Sequence, residues 1–299
     1  MSASVLFDVP GPKARLRYRL YAVLGTLVLL AGIAFVVYRF ADSGQFDGQK
    51  WSWLEYEYVQ LRLLSALGNT LKAFVAGAIL AMLFGAIFAA GQLSDHKFVR
   101  VPSLVVVEFF RAVPLVVLIF ISHYGFGLGA KLDTTIGDLT GLTMGGTFYS
   151  VVIGLTLYNG SVLAEVFRAG VLSLPRGQSE AAYALGMRKT QVMNFVLLPQ
   201  AVRAMLPAII SQLVVLLKDS ALGFIIEYEE LLREARFLGG QFEFGRPLVP
   251  ITIVVAAVYI GMCLLLTWLA NTLEKRNRRN KKVVEPEAKP AEDVVAAAV

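Results

Sequence analysis

Six long stretches without a charged side chain constrain the fold of this chain more than any other feature. The chain has 299 residues, of which 57% are hydrophobic and only 17% are charged. That leaves too little charge to cover the surface of a soluble domain of this size. The stretches are Leu20–Tyr38, Ala73–Ser94, Ala112–Ala130, Leu139–Ala164, Ala204–Leu217 and Pro247–Leu273.

A helix of about 20 apolar residues crosses the roughly 30 Å hydrocarbon layer of a bilayer. All the stretches except the fifth are of about that length or longer. The fifth is short unless its flanks, Gln200–Arg203 and Lys218–Ile226, lie at the membrane surfaces. The sequence therefore predicts an all-α polytopic membrane protein with about six transmembrane helices.

The distribution of lysine and arginine predicts the orientation, because cytoplasmic loops carry an excess of both. With the N-terminus inside, sixteen basic residues lie in the inner segments and seven in the outer loops. The first apolar stretch is long for a signal peptide, and no small-residue cleavage signal follows it, so we interpret it as a retained helix. We expect a multi-pass membrane protein with both termini in the cytoplasm. The basic pI near 9.4 then reflects topology and not a nucleic-acid partner.

The same pattern divides the chain into four parts. Residues 1–19 are predicted to be a cytoplasmic basic tail, and residues 20–64 a first helix with an outer loop in which Trp51 and Trp53 rest at the headgroup level. Residues 65–273 form the main transmembrane domain, and residues 274–299 a disordered cytoplasmic tail. Pro114 and Pro207 are expected to kink their helices. The later helices are predicted at 66–93, 103–125, 147–170, 200–225 and 247–272.

A polar segment between two of the apolar stretches, GQSEAAYALGMRKTQVMNFVLLPQ (Gly177–Gln200), predicts a helical hairpin on the cytoplasmic side. Ser179 can cap a first helix, and Gly186 can take the left-handed conformation that ends it. Thr190 can cap a second helix that Pro199 closes.

Small residues on this hairpin predict a docking face for another protein, because they allow its backbone to approach closely. That face is expected at Ala181, Ala182 and Leu185. The interior of the hairpin is expected at Met187, Val192, Phe195 and Val196.

Glu180-Ala181-Ala182, Gly186, Val196, Leu198 and Pro199 stand at the spacing of the EAA signature, so the chain resembles the permeases of ATP-binding-cassette importers. Only Val196 departs, since the family usually has isoleucine there. The surrounding segments GNT, FFRAVPLVVLIF, LLPQAVRAMLPAI and LLKDSALGFII resemble the polar amino acid uptake permeases of the glutamate type. The resemblance covers roughly residues 65–275 and adds one N-terminal helix to the family's five-helix core.

This resemblance implies that loop 176–199 is the coupling-helix pair that fits a groove in a cytoplasmic ATPase dimer. It assigns the coupling contacts to Glu180, Ala181, Ala182, Gly186 and Pro199. It implies three partners besides the bilayer: that ATPase, a second permease chain (self or paralogue), and an extracytoplasmic amino acid-binding protein. It also implies a bacterial cell membrane location and no cofactor on this chain, because ATP and magnesium are used by the ATPase.

Charged and polar residues inside membrane helices are costly, which makes them candidates for the substrate pathway. Glu108 and Arg111 lie about one turn apart on the third predicted helix, and Glu165 and Arg168 on the fourth. These four residues form either a structural ion network or a substrate contact. Further candidates are Asn159, near the middle of the fourth helix, and the mixed-charge pair Lys218 and Asp219, toward the outer end of the fifth. That pair either reads both charges of an amino acid or is a neutral interfacial ion pair.

Two other classes of membrane protein fit the sequence less well. A secondary transporter or channel, which needs no ATPase, is expected to show inverted repeats with broken helices, and paired halves are not evident. A membrane enzyme needs a nucleophile and base or a metal cluster, and neither constellation is present in the sequence. The sequence also has no G-x-x-x-x-G-K-[ST] motif, so we expect a non-catalytic subunit without catalytic or metal-binding residues.

Overall fold

The computed structural model describes residues 11–279, and within that range it contains helices and connecting segments but no strands. The α-helices are α1 Pro12–Asp42, α2 Glu57–Gln92, α3 Lys97–Ala112, α4 Leu115–Phe120, α5 Leu128–Thr140, α6 Gly146–Leu172, α7 Arg176–Ala184, α8 Lys189–Gln191, α9 Leu198–Asp219, α10 Leu231–Gly239 and α11 Leu248–Arg279. Three 3₁₀ segments (Gly48–Glu55, Ser220–Ile226, Phe242–Phe244) and two π segments (Ile121–Gly125, Val192–Leu197) join them.

Five helical segments of the described chain are long and apolar enough to cross a membrane, and a sixth results if one bent pair counts as a single span. The predicted all-α polytopic fold with about six transmembrane helices is thereby confirmed.

The predicted span 103–125 is broken, since α3 and α4 meet at an angle of 99°. Val113 is extended at the break (φ −84°, ψ 127°), because the Pro114 ring disfavours the helical conformation in the residue before it. By contrast, α9 continues through Pro207.

The described chain forms two compact units. The larger unit comprises residues 65–233 and the chain from residue 256 onward. Its centre is α6, the most buried of the candidate spans, which packs against α3, α4, α5 and α9. Small residues bring the helices close together: a Cβ on Gly77 of α2 would lie 3.1 Å from Leu155, and one on Gly85 would lie 2.9 Å from Leu163. Both leucines belong to α6, so α2 lies directly against the central helix.

The smaller unit comprises the described chain up to Leu64 together with Glu234–Val255. Within α1, residues 15–39 are exposed. Trp53 is only 1% exposed, so the expectation that it rests at a headgroup surface is wrong for this residue. The Arg62 guanidinium pairs with Glu234 at 2.9 Å and stacks on the ring of Phe237.

The last helix also differs from the expected boundary. Because α11 continues to Arg279, the predicted disordered tail 274–299 begins as helix. Residues 280–299 and 1–10, which include the remainder of both predicted tails, lie outside the described residues.

Candidate functional site

The hairpin between α6 and α9 turns at Gly186, which has φ +77°. The Gly186 N–H donates to the carbonyl of Tyr183 at 2.9 Å, and the Met187 N–H donates to the carbonyl of Ala182 at 3.2 Å. These bonds satisfy carbonyls that the end of α7 leaves without helical partners. Glycine adopts this left-handed backbone at no steric cost, so the predicted role of Gly186 in ending the first helix is confirmed.

The caps of the two hairpin helices differ from the prediction. Since α7 begins at Arg176, Ser179 lies inside the helix, and its hydroxyl donates to the Arg176 carbonyl at 2.8 Å. The N-cap of α8 is Arg188 and not Thr190, and the Arg188 N–H donates to the Gln191 side chain at 2.8 Å. Both predicted caps are wrong because each helix begins further upstream than its nearest serine or threonine.

Pro199 does not close the second helix. The chain continues from α8 through the π segment Val192–Leu197 into α9, and Pro199 lies in the first turn of α9. A proline is tolerated there because the first N–H groups of a helix have no intrahelical acceptor. The hairpin is therefore continuous with a membrane helix, and a displacement of α8 can be passed to α9.

The exposed face of the hairpin is more apolar than the sequence indicated. Leu185 is 84% exposed and Phe195 is 73% exposed, whereas Ala182 is only 5% exposed. Glu180 and Ala181 are exposed, as expected of docking residues. The sequence predicts Phe195 in the interior of the hairpin and Ala182 on its docking face, and both placements are wrong. On so short a helix, the packing of the hairpin against the rest of the fold decides which side is buried.

A tether that no local sequence pattern indicates joins the hairpin to the α2–α3 connection. The Lys189 ammonium lies 2.5 Å from the Asp95 carboxylate and donates to the Leu93 carbonyl at 3.4 Å. The hydrogen bond from Lys189 lowers the pKa of Asp95 below its ordinary value. The start of the second hairpin helix thus contacts the segment that follows α2.

Two of the predicted pathway residues meet in the bundle. Asn159 is fully buried at the middle of α6, and its amide donates to the Asp219 carboxylate at 3.2 Å. Gln212 of α9 donates to the Asn159 side-chain oxygen at 2.6 Å, which makes a chain of three polar groups between α6 and α9. Lys218 is exposed, whereas Asp219 is half-buried and accepts the hydrogen bond from Asn159. Gln212 could have been found as an amide in an otherwise apolar span.

The other four predicted charges form two ion pairs. Arg111 lies 3.1 Å from Glu108 on α3, and Arg168 lies 3.0 Å from Glu165 on α6. Each pair connects residues one turn apart on its own helix. Arg111 of α3 also acts electrostatically on Glu165 of α6, so the two pairs are close to one another. The α6 pair is the more buried, since its two side chains are 36% and 20% exposed.

A polar pocket of about 290 Å³ lies at the opposite end of α2 and α6 from the hairpin. Lys72, Glu227 and Glu229 contribute its charges, and Arg233 lies 3.2 Å from Glu227. The Tyr228 hydroxyl, whose pKa is raised by burial, donates to the backbone carbonyl of Asn69. The residues of this pocket are far apart in sequence, so no local sequence pattern indicates them.

Comparison with known proteins identifies the family to which this architecture belongs. Residues 65–279 match the model for the binding-protein-dependent transport system inner membrane component. The chain is 39% identical over 242 residues to the glutamate transport system permease protein GluD of Corynebacterium glutamicum, covering 81% of this chain and 84% of that one. It is 34% identical over 213 residues to the probable glutamine ABC transporter permease protein GlnP of Bacillus subtilis, covering 69% and 89%.

A solved structure described as an amino acid ABC transporter with histidines is similar at a TM-score of 0.62 and 27% identity. The similarity covers 75% of this chain and 98% of that one. The residues matched by the family model, 65–279, include the hairpin and helices α6 and α9. The resemblance to importer permeases is therefore confirmed, and the chain belongs to the family of inner membrane components of binding-protein-dependent transport systems.

Proposed function

We propose that this chain is the permease subunit of an ATP-driven importer for a polar amino acid, glutamate or a close relative. Support for the substrate class comes from the relatives described as glutamate and glutamine permeases. The subunit forms part of the pathway, and a cytoplasmic ATPase dimer that uses ATP and magnesium supplies the energy. The orientation that agrees with the charge distribution places the hairpin and both termini in the cytoplasm.

The observation that carries this proposal is the exposed apolar face of the hairpin. Leu185 is 84% exposed on a segment that lies beyond the end of α6, and Tyr183 and Phe195 of the same hairpin are also exposed. Several large apolar side chains exposed on one short hairpin are typical of a surface that a partner protein covers. The continuity of α8 with α9 gives the ATPase a mechanical path into the bundle.

The polar chain of Gln212, Asn159 and Asp219 is the proposed contact with the substrate. An amino acid carries an ammonium and a carboxylate. The half-buried Asp219 carboxylate offers an acceptor for the ammonium, and the two side-chain amides offer donors for the carboxylate. A second permease chain, a copy or a paralogue, completes the pathway. An extracytoplasmic binding protein delivers the substrate on the side of the polar pocket that contains Lys72.

The coupling surface is tested by the variant Leu185→Glu in the purified transport complex. Because the side chain is already exposed, the substitution leaves the fold of this chain intact while placing a charge in the contact. We expect the ATPase to be lost from the complex and amino acid uptake into vesicles to cease. The matched control is Leu139→Glu on α5, also an exposed leucine at 79%; this variant keeps the ATPase. Retention of the ATPase by both variants would contradict the proposed coupling surface.

The substrate assignment has its own test. Uptake of labelled glutamate, glutamine and aspartate is measured in vesicles that contain the full complex, with and without ATP. We expect uptake of at least one of them only with ATP. ATP-independent uptake would favour the class of secondary transporters or channels.

A further inference from the structure

A second cavity, of about 640 Å³, lies on the hairpin side of the larger unit, apart from the polar chain. Its wall is made by α2, α6 and α9 and is predominantly apolar, with Met82, Ala86, Phe167, Val202, Met205 and Ile209 among its lining residues. This volume is within the range of cavities that hold a small ligand. Nothing in the proposed transport mechanism uses it.

The depth of the cavity matches one leaflet of a bilayer. Its lining runs along α2 from Met82 to the end of the helix and on to Ser94. From Met82 to the end of the helix at Gln92, about 1.5 Å per residue gives roughly 15 Å, which is half of the roughly 30 Å hydrocarbon layer. A cavity of this length, apolar and open at the level where the membrane helices end, fits an acyl chain better than a water-soluble ligand.

The mouth of the cavity carries groups that suit a phosphate. Lys189, His96, Thr190 and Asn194 line it together with Asp95. The side chains of Lys189 and Asp95 are 45% and 76% exposed, and an exposed ion pair of this kind holds its partners only weakly. The Lys189 ammonium can therefore be shared with an incoming anion. On α3, exposed Lys97 and Arg100 add positive charge beside the mouth.

We propose that this cavity binds an anionic phospholipid of the leaflet on the hairpin side. One acyl chain lies between α2, α6 and α9, and the headgroup phosphate contacts Lys189. Since Lys189 is also the first residue of α8, the lipid connects the hairpin to the end of α2. If the hairpin couples to the ATPase as proposed above, on which this step rests, a lipid in this position makes ATP hydrolysis by the complex dependent on anionic lipid.

Lipid binding is tested directly on the purified transport complex by native mass spectrometry, after reconstitution with equal amounts of phosphatidylglycerol and phosphatidylcholine. Ala86→Phe, and independently Ala90→Phe, place a ring in the cavity from exposed positions of α2. The matched control is Ala257→Phe, at an exposed position of α11 that does not line the cavity. The elution profile and the unfolding temperature of each variant report whether it is folded.

We expect the wild type and the Ala257→Phe control to retain phosphatidylglycerol through detergent washing. Both cavity-filling variants are expected to lose it at least five-fold. Lys189→Gln is expected to retain the two lipids equally, whereas Lys131→Gln on α5 keeps the preference. Retention by the filled variants, equal retention of the two lipids by the wild type, or cross-linking of a second protein chain into the cavity would each overturn the proposal.

The lipid measurement does not depend on transport, so its failure is distinguishable from failure of the proposed function. In the second measurement, phosphatidylglycerol is titrated into phosphatidylcholine nanodiscs that contain the complex. We expect wild-type ATP hydrolysis to rise at least two-fold, and the rise to be lost in Ala86→Phe. An equal rise in both would overturn the regulatory part of the proposal. Inorganic phosphate, added alone, is expected to leave the wild-type rate unchanged; stimulation by phosphate would overturn the lipid as the source of the anion.

Discussion

Substitution of Gly186 by alanine isolates the cost of the left-handed turn in the hairpin. An added Cβ at Gly186 meets nothing within 4 Å, so no side-chain clash contributes. What remains is the backbone conformation at φ +77°, which costs an L-residue about 1–2 kcal/mol. Gly177 in α7 is the matched control, because a Cβ there also meets nothing within 4 Å while its backbone is helical.

The two variants are therefore expected to have opposite effects on the stability of the hairpin. Gly177→Ala stabilises α7 by at most about 0.5–1 kcal/mol, since alanine loses less backbone entropy than glycine in a helix and Gly177 lies in the first turn. The expected difference between Gly186→Ala and Gly177→Ala is about 1–3 kcal/mol, or roughly 5- to 150-fold in a local opening equilibrium. Gly186→Asn is expected to fall between wild type and Gly186→Ala, because asparagine tolerates the left-handed region.

Amide hydrogen exchange measures this equilibrium in the purified complex. The amides of Gly186 and Met187 report the turn directly, as both donate to carbonyls of α7. We expect Gly186→Ala to lower the protection of the Met187 amide about 5- to 30-fold, with fewer substrate molecules moved per ATP hydrolysed. Protection equal to or above wild type in Gly186→Ala, or an equal loss in Gly177→Ala, would refute the reasoning.

Three further predictions concern buried polar groups. Asn159→Leu keeps the side-chain volume but leaves the Asp219 carboxylate without its amide donor. We expect the free energy of unfolding in denaturant to fall by about 1–3 kcal/mol. An unchanged denaturation midpoint would contradict this prediction. Tyr259→Phe removes a 2.8 Å hydrogen bond to the fully buried Glu230 and is expected to cost about 1.5–3 kcal/mol in the same assay. Burial raises the pKa of the Tyr228 hydroxyl above its ordinary value. The contribution of this hydroxyl to the free energy of unfolding is therefore complete below about pH 10 and declines as the pH rises further. Tyr228→Phe should remove that part of the alkaline decline in unfolding temperature.

Local sequence patterns predict some features of the hairpin correctly and others wrongly. The sequence predicts the turn at Gly186 correctly, because a glycine between two helical runs is a local signal for a left-handed residue. It misplaces both caps and the end at Pro199, because a π segment merges the second hairpin helix with α9. Which side of a short helix is covered depends on what lies behind it. For that reason Ala182 is buried and Phe195 is exposed, against expectation.

The sequence by itself determined that the chain is a bundle of membrane helices and where they lie, because about 20 consecutive apolar residues are a local property. It also determined the family, through the spacing of Glu180, Gly186 and Pro199. Only the tertiary structure decided the 99° bend after α3 and the contact between Asn159 and Asp219, which are 60 residues apart. It also decided the tether from Lys189 to the end of α2. These features depend on which helices pack together. Apolar residues that recur every 3.6 positions indicate which face of a helix is buried, but they do not indicate which neighbouring helix covers that face.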